Sequence, residues 1–204
     1  MTTFLLIRHG TTDTVGRVIT GRRSGVSLNE QGKRQVEILA DVLSDARIAA
    51  VYSSPLERAL ETAQPIARVH GLAAKVRNGL LEVDFGALEG CSLEELSRLP
   101  GWEAFNIFRS QVRPPGGEHM LDVQRRMVGE MEDLLCRHPD ECIALISHGD
   151  VIRATIAHYL GVPLDLFLRL EISPASVSVI QLGETHARVP VVNGTSPLLA
   201  PLQL

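Results

Sequence analysis

The chain has 204 residues, 45% of them hydrophobic and 22% charged, with a formal net charge of −4. That length suits one substantial core and is marginal for two, and the composition excludes a disordered, collagen-like or disulfide-scaffold protein. Lys and Arg total 20 against 24 Asp and Glu, which leaves no broad field to draw nucleic acid or an anionic membrane, so any anion site must be local.

The first eight residues lack a basic start and are interrupted by Arg8, which is not the pattern of a signal peptide. No apolar run approaches the roughly 20 residues of a membrane span, and a cytoplasmic enzyme or binding domain is expected, one domain over residues 1–204. Strands are predicted at 4–7, 49–52, 143–146 and 176–182. The first three are nearly unbroken apolar runs, as in strands buried on both faces. A helix over 27–44 opens with Ser27 and Glu30 at capping-box spacing and carries Val36, Leu39, Ala40 and Leu43 at helical period. A second starts at Ser54, with Pro55 in its first turn and Glu57 three residues after the cap, and runs towards His70 and Gly71. Residues 101–117 hold Trp102, Phe105, Phe108 and the run Pro114-Pro115-Gly116-Gly117. They read as an insertion folding over one end of the sheet, or as a helix ending in a turn. A third long helix over 118–138 places Met120, Met127, Met131, Leu134 and Leu135 on one side, as core. A fourth follows Gly149 and stops near Gly161-Val162-Pro163. Residues 190–204 are expected as a surface extension. Cys91, Cys136 and Cys142 are too few and too irregular for a disulfide framework or a zinc site. Strands alternating with helices give an α/β sheet covered on its faces.

In such sheets ligands sit beyond the carboxyl ends of the strands. The first strand is followed by Arg8-His9-Gly10-Thr11-Thr12, the second by Ser53-Ser54-Pro55 with Arg58 one turn on, and the third by Ser147-His148-Gly149. If these strands are neighbours, arginines, histidines, hydroxyls and glycine-loosened backbone converge on one oxyanion pocket, most naturally for phosphate. Arg matches phosphate oxygens with paired donors and keeps its charge. Positive charge from Arg8 and Arg58 disfavours a protonated His9 and leaves an imidazole lone pair free to attack, so His9 is the candidate nucleophile. His148 could stabilise charge on the transferring group. Two cationic groups speak against a metal site there. An alcohol leaving group also needs an acid, for which Glu82, Asp84 and Glu89 are candidates that spacing cannot separate.

Arg8-His9-Gly10, the segment from Ser53 through Arg58-Ala59 to Glu61-Thr62-Ala63, Glu82 ahead of Phe85-Gly86 and Glu89-Gly90, and Ser147-His148-Gly149 together resemble the histidine phosphatase superfamily, which includes cofactor-dependent phosphoglycerate mutases. The resemblance spans nearly the whole chain. It implies a three-layer α/β/α sandwich with a mixed, mainly parallel central sheet, a phosphohistidine on His9, a phosphoryl cradle of Arg8, Arg58 and His148, and Glu82 as proton donor that later takes a proton from the hydrolytic water. It implies no metal and no cofactor. Gly116-Gly117-Glu118 resembles a Gly-Gly-Glu element of many phosphatase members, whose role is less settled. The family usually has an Asn shortly after its Arg-His-Gly, where this chain has Thr14-Val15. Thr20 and Gly21 fit a later loop contact and, with Gly149, are assigned to substrate binding.

Hydrolysis of small phosphorylated metabolites is favoured over a mutase. Mutases of this kind are usually longer, with segments that shield the phosphohistidine from water, and they hold a phosphoglycerate carboxylate with a paired-arginine stretch for which Arg109-Ser110-Gln111-Val112-Arg113 is a poor substitute. Arg22, Arg23, Arg109 and Arg113 could meet a second anionic group or be solvated charge. A non-catalytic phospho-ligand binder is disfavoured because nucleophile, clamp and acid are all present.

Overall fold

The computed structural model describes residues 1–195. Its strands are β1 (Thr2–Arg8), β2 (Ile48–Ser53), β3 (Ala74–Val76), β4 (Cys142–Ser147), β5 (Val177–Leu182) and β6 (Ala187–Gly194), and its helices α1 (Glu30–Leu43), α2 (Glu57–Val69), α3 (Leu93–Ser97), α4 (Trp102–Ile107), α5 (Met120–Arg137) and α6 (Gly149–Leu160). The strands form one sheet in the order β3-β2-β4-β1-β5-β6. β1, β2, β3 and β4 are parallel, whereas β5 runs antiparallel to β1 and β6 antiparallel to β5. This is the mixed, mainly parallel sheet that the resemblance implies.

Alternate side chains of the central strands feed two cores. Phe4, Leu6, Tyr52, Ile143 and Leu145 pack with Val123, Met127, Met131 and Leu134 of α5 and Ile152 and Ile156 of α6. On the opposite face Leu5, Ile7, Val51, Ala144 and Ile146 pack with Leu39 and Leu43 of α1 and Ala59, Ala63 and Ile66 of α2. Covering both faces with helices is what permits strands that are apolar on both sides. The methionines are core, as their helical spacing suggests.

Three boundaries differ from the sequence expectation. Asn29, not Ser27, caps α1: the Gly32 N–H donates to Asn29 Oδ1 at 2.9 Å. α2 starts at Glu57 rather than Ser54, whose hydroxyl is engaged with a histidine described below. Residues 190–194, expected in a surface extension, lie in β6, with Val191 registered against Val179. Pro190 has no N–H to donate and is tolerated because β6 is an edge strand. Residues 196–204 lie outside the described residues.

The register of β1, β4 and β2 aligns their carboxyl ends, pairing Arg8 with Ser147 and Ser53 with Ile146. The ladder continues one residue further, where the His9 N–H donates to Ser147 O and the Ser54 N–H to Ile146 O, both at 3.0 Å. The three motif junctions therefore meet at one end of the sheet. Of residues 101–117, Trp102, Asn106 and Arg109 line a cavity at that end.

Candidate active site

A cavity of about 470 Å³ opens there, lined by Arg8, His9, Thr20, Gly21, Arg58, Glu82 and Gly149 among others. His148, the remaining residue singled out from the sequence, lies behind the wall, fully buried, with its ring centroid 5.2 Å from that of His9.

Each side chain is held by a specific contact. His9 Nδ1 is 2.8 Å from Gly10 O; a carbonyl only accepts, so Nδ1 carries the proton and Nε2 keeps its lone pair. Burial, then Arg58, then Arg8 push the His9 pKa down to about 3, against the opposing hydrogen bond to Gly10. The Gly10 N–H donates to Thr62 Oγ1 at 3.1 Å. His148 Nε2 is 2.8 Å from Ser54 Oγ, and burial, followed by the nearby His9 and Arg58, holds its pKa well below the ordinary value. Arg58 Nη2 donates to Gly21 O at 2.7 Å and Arg8 Nη1 to Ile172 O. Gly21 thus braces Arg58 through its carbonyl, and its φ of +53° and the Glu89 carboxyl beside it leave no room for a side chain. At Gly149 a Cβ would stand 3.3 Å from Arg8 Nε. The N-terminus of α6, which begins there, adds partial positive charge.

Among the groups next to His9, Arg8 Nε, Arg58 Nη1 and His148 Nδ1 are buried without a hydrogen-bond partner, as is Nε of Arg109 elsewhere in the cavity wall. Buried polar nitrogens without a partner are rare and destabilising. The first three belong to the groups that surround His9, two of them cationic, and an oxyanion would satisfy them together.

Of the three carboxylates left open by the sequence, Glu82 lines the cavity. The others are engaged elsewhere: Asp84 Oδ1 accepts from the Gly86 N–H at 2.9 Å, and Glu89 Oε1 accepts from the Arg22 N–H at 2.8 Å and the Phe85 N–H at 3.3 Å. Glu82 Oε1 accepts from the Val83 N–H at 2.9 Å, and Oε2 lies 3.9 Å from His148 Nδ1. Burial and the nearby Asp150 raise its pKa to about 7, outweighing Arg58, the Val83 N–H and Arg8.

Where the family usually has Asn, hydroxyls form a chain: Thr12 Oγ1 lies 2.9 Å from Thr14 Oγ1, which also accepts from Thr20 Oγ1 at 2.8 Å. Thr12, Val15 and Thr20 line the cavity. Of the outlying arginines only Arg109 reaches it among the described residues, flanked by Trp102 and Asn106. Arg109 stacks over Phe105 at 4.0 Å and donates to Asp150 Oδ2 at 3.2 Å. Arg153 donates to Asp150 Oδ1 at 2.7 Å. Asp150 and Arg153 were not singled out from the sequence, although Asp150 directly follows Gly149 and Arg153 sits one helical turn further on. Among the described residues no group of three or more His, Cys, Asp or Glu side chains gathers as metal ligands, and no helix is long and apolar enough to cross a membrane.

A Mycobacterium tuberculosis "bifunctional protein" is 34% identical over 200 residues, covering 97% of this chain and 55% of the relative, so the chain spans about half the length of that protein. Phosphoserine phosphatase 1 of Hydrogenobacter thermophilus is 31% identical over 208 residues, covering 97% of this chain and 95% of the relative. Among solved structures, a mycobacterial glucosyl-3-phosphoglycerate phosphatase in complex with VO3 superposes with a TM-score of 0.86 at 28% identity, covering 95% of this chain and 99% of that one. The family model for branch 1 of the histidine phosphatase superfamily matches residues 4–195, and the chain belongs to that family.

Proposed function

We propose that the protein is a phosphomonoesterase that hydrolyses small phosphorylated metabolites through a phosphohistidine on His9. The observation that carries this reading is the set of unpartnered buried nitrogens, Arg8 Nε, Arg58 Nη1 and His148 Nδ1, around a neutral imidazole; His148 Nδ1 is a donor in the tautomer whose Nε2 accepts from the Ser54 hydroxyl. A phosphoryl group bound to them faces His9 Nε2, and Thr20, Gly21 and Gly149 shape the space for the rest of the substrate. The Nε2 lone pair attacks phosphorus, the bond to the ester oxygen breaks, and that oxygen takes the Glu82 proton as it leaves. Water then attacks the phosphohistidine and gives its proton to the Glu82 carboxylate. The P–N bond breaks, the lone pair returns to Nε2, and inorganic phosphate departs. Arg8 and Arg58 stay charged throughout and offset the charge that builds on the phosphoryl oxygens.

The names of the relatives support hydrolysis, since two phosphatases match nearly over their full length. No metal enters the scheme, because the cradle already supplies positive charge and would repel a cation. The unpaired thiols of Cys91, Cys136 and Cys142 fit a reducing cytoplasm. The test is phosphate release from a panel of phosphorylated metabolites and an aryl phosphate in excess chelator, with 3-phosphoglycerate isomerisation measured beside it. Release without isomerisation supports the reading. Isomerisation with little release would make the protein a mutase, and ligand binding without either a non-catalytic binder.

A further inference from the structure

The Gly116-Gly117-Glu118 motif has no part in the scheme above, and Glu118 does not line the cavity. Its surroundings are nonetheless built around the loop that carries the acid. Residues 81–85, which hold Glu82, form no helix or strand, so their position depends on contacts from outside. The Glu82 carbonyl accepts from Arg22 Nε at 2.9 Å and from Arg126 Nη2 at 3.1 Å. Both guanidinium groups are in turn held by the carboxylate of Glu118. Oε2 accepts from Arg22 Nη2 at 2.8 Å and Arg126 Nη2 at 3.2 Å, and Oε1 accepts from Arg126 Nε at 3.0 Å. Glu118 Oε2 also accepts from the Asp84 N–H at 3.2 Å, and the Glu118 N–H donates to Asp84 O at 2.8 Å. Arg126 reaches further along the loop by donating from Nη1 to Gly79 O at 2.7 Å.

The glycines make this approach possible. A Cβ on Gly117 would stand 2.4 Å from Asp84 O, and one on Gly86 would stand 2.3 Å from Pro115 O. The two segments pack backbone on backbone, and the Ala87 N–H donates to Pro115 O at 2.9 Å.

We propose that Glu118 is a positioning residue: it gathers Arg22 and Arg126 onto the carbonyl of Glu82 and so fixes where the proton-donating carboxyl stands relative to the leaving oxygen. This rests on the acid role proposed for Glu82. Glu118→Gln keeps the shape and removes the charge that holds two arginines. A freed loop shifts the acid, and misplacement of a reacting group by about 1 Å costs on the order of 10²-fold.

The measurement is kcat/KM, which covers the steps up to loss of the alcohol, for glycerol phosphate and for 4-nitrophenyl phosphate. Glu118→Gln is expected to lower kcat/KM about tenfold or more for the alkyl ester, whose leaving oxygen needs the proton, with a several-fold smaller loss for the aryl ester. In a Glu82→Gln background the same substitution should add nothing. Equal losses on both esters, or full additivity with Glu82→Gln, would mean that Glu118 serves general folding and would overturn the proposal; no loss on either would do the same. Should Glu118→Gln fail to fold, Arg22→Lys, which removes the Nε donor to the Glu82 carbonyl, is read by the same criteria. If Glu82→Gln alone shows no contrast between the esters, the acid assignment itself falls and this inference with it.

Discussion

Glu82→Gln removes the one group whose protonation the mechanism requires near neutrality, and its effect on stability follows from linkage. In the folded chain the Glu82 carboxyl titrates at about 7 instead of the ordinary 4.5. Its folded-state pKa is raised, so the stabilising contribution is complete below 4.5 and is lost as pH rises through about 7. A move from 4.5 to about 7 corresponds to about 3 kcal/mol at 1.36 kcal/mol per pKa unit. Glutamine does not titrate, yet its amide oxygen can still accept from the Val83 N–H, so the variant gains on the parent as pH rises. Urea unfolding of both proteins in phosphate-free buffer, from about pH 4 to about pH 8, measures the difference at each pH while titrations common to the two largely cancel. The variant should gain about 3 kcal/mol relative to the parent across that range, nearly all of it between about 4.5 and about 7. A difference independent of pH, or one that shifts towards the parent as pH rises, would refute the claim that the fold holds this carboxyl in its acid form.

Activity should be acid-favoured: kcat/KM for an alkyl phosphate rises as His9 loses its proton near 3 and falls as Glu82 loses its own near 7, and the alkaline limb should weaken in Glu82→Gln. Arg58→Gln removes a charged donor of the cradle and is expected to lower kcat/KM by about 10²-fold or more, checked with the aryl phosphate, on which a loss below about threefold would speak against the cradle. Gly32→Ala forces a Cβ to within 2.1 Å of Thr11 O and 2.8 Å of its N–H nitrogen, so the backbone of the His9 loop must move. Overpacking of this kind costs about 1–3 kcal/mol, read by urea unfolding, and an unchanged midpoint would contradict the packing described. Excess chelator should leave turnover unchanged, and a loss restored by a divalent ion would contradict the metal-free scheme.

The parts of this architecture that could be read in advance are those where one physical signal dominated. Strands at 4–7, 49–52 and 143–146 announce themselves because both faces are buried, and the helical faces carrying Met127, Met131 and Leu134 or Val36, Leu39 and Leu43 follow the period of their burial. The gathering of Arg8, Ser54, Arg58 and His148 was legible because each ends a strand, directly follows one or lies in the first turn of the helix after it. What the chain hid had competing uses. Ser54 looks like a helix cap, but its hydroxyl serves His148. Ser27 looks like the cap of α1 but yields to Asn29. Pro190 suggests an end to regular structure and instead sits on an edge that needs no donor. β3, three residues long and largely exposed, carries no hydrophobic pattern. The choice of Glu82 over Asp84 and Glu89 lay beyond spacing, since all three carboxylates accept backbone N–H groups and only the fold decides that Glu82 is the one lining the cavity. Asp150 and Arg153 went unnoticed because an Asp in the first turn of a helix and an Arg three residues on read as ordinary helix electrostatics.

The central claim is a covalent bond between phosphorus and one nitrogen of His9. Rapid mixing with a labelled aryl phosphate, quenching in base and peptide mapping by mass spectrometry test it directly. A base-stable, acid-labile phosphoryl group on His9 is expected to form before phosphate is released and to be absent from His9→Ala, which also turns over no substrate. Label on any other residue, or undiminished turnover in His9→Ala, would contradict it.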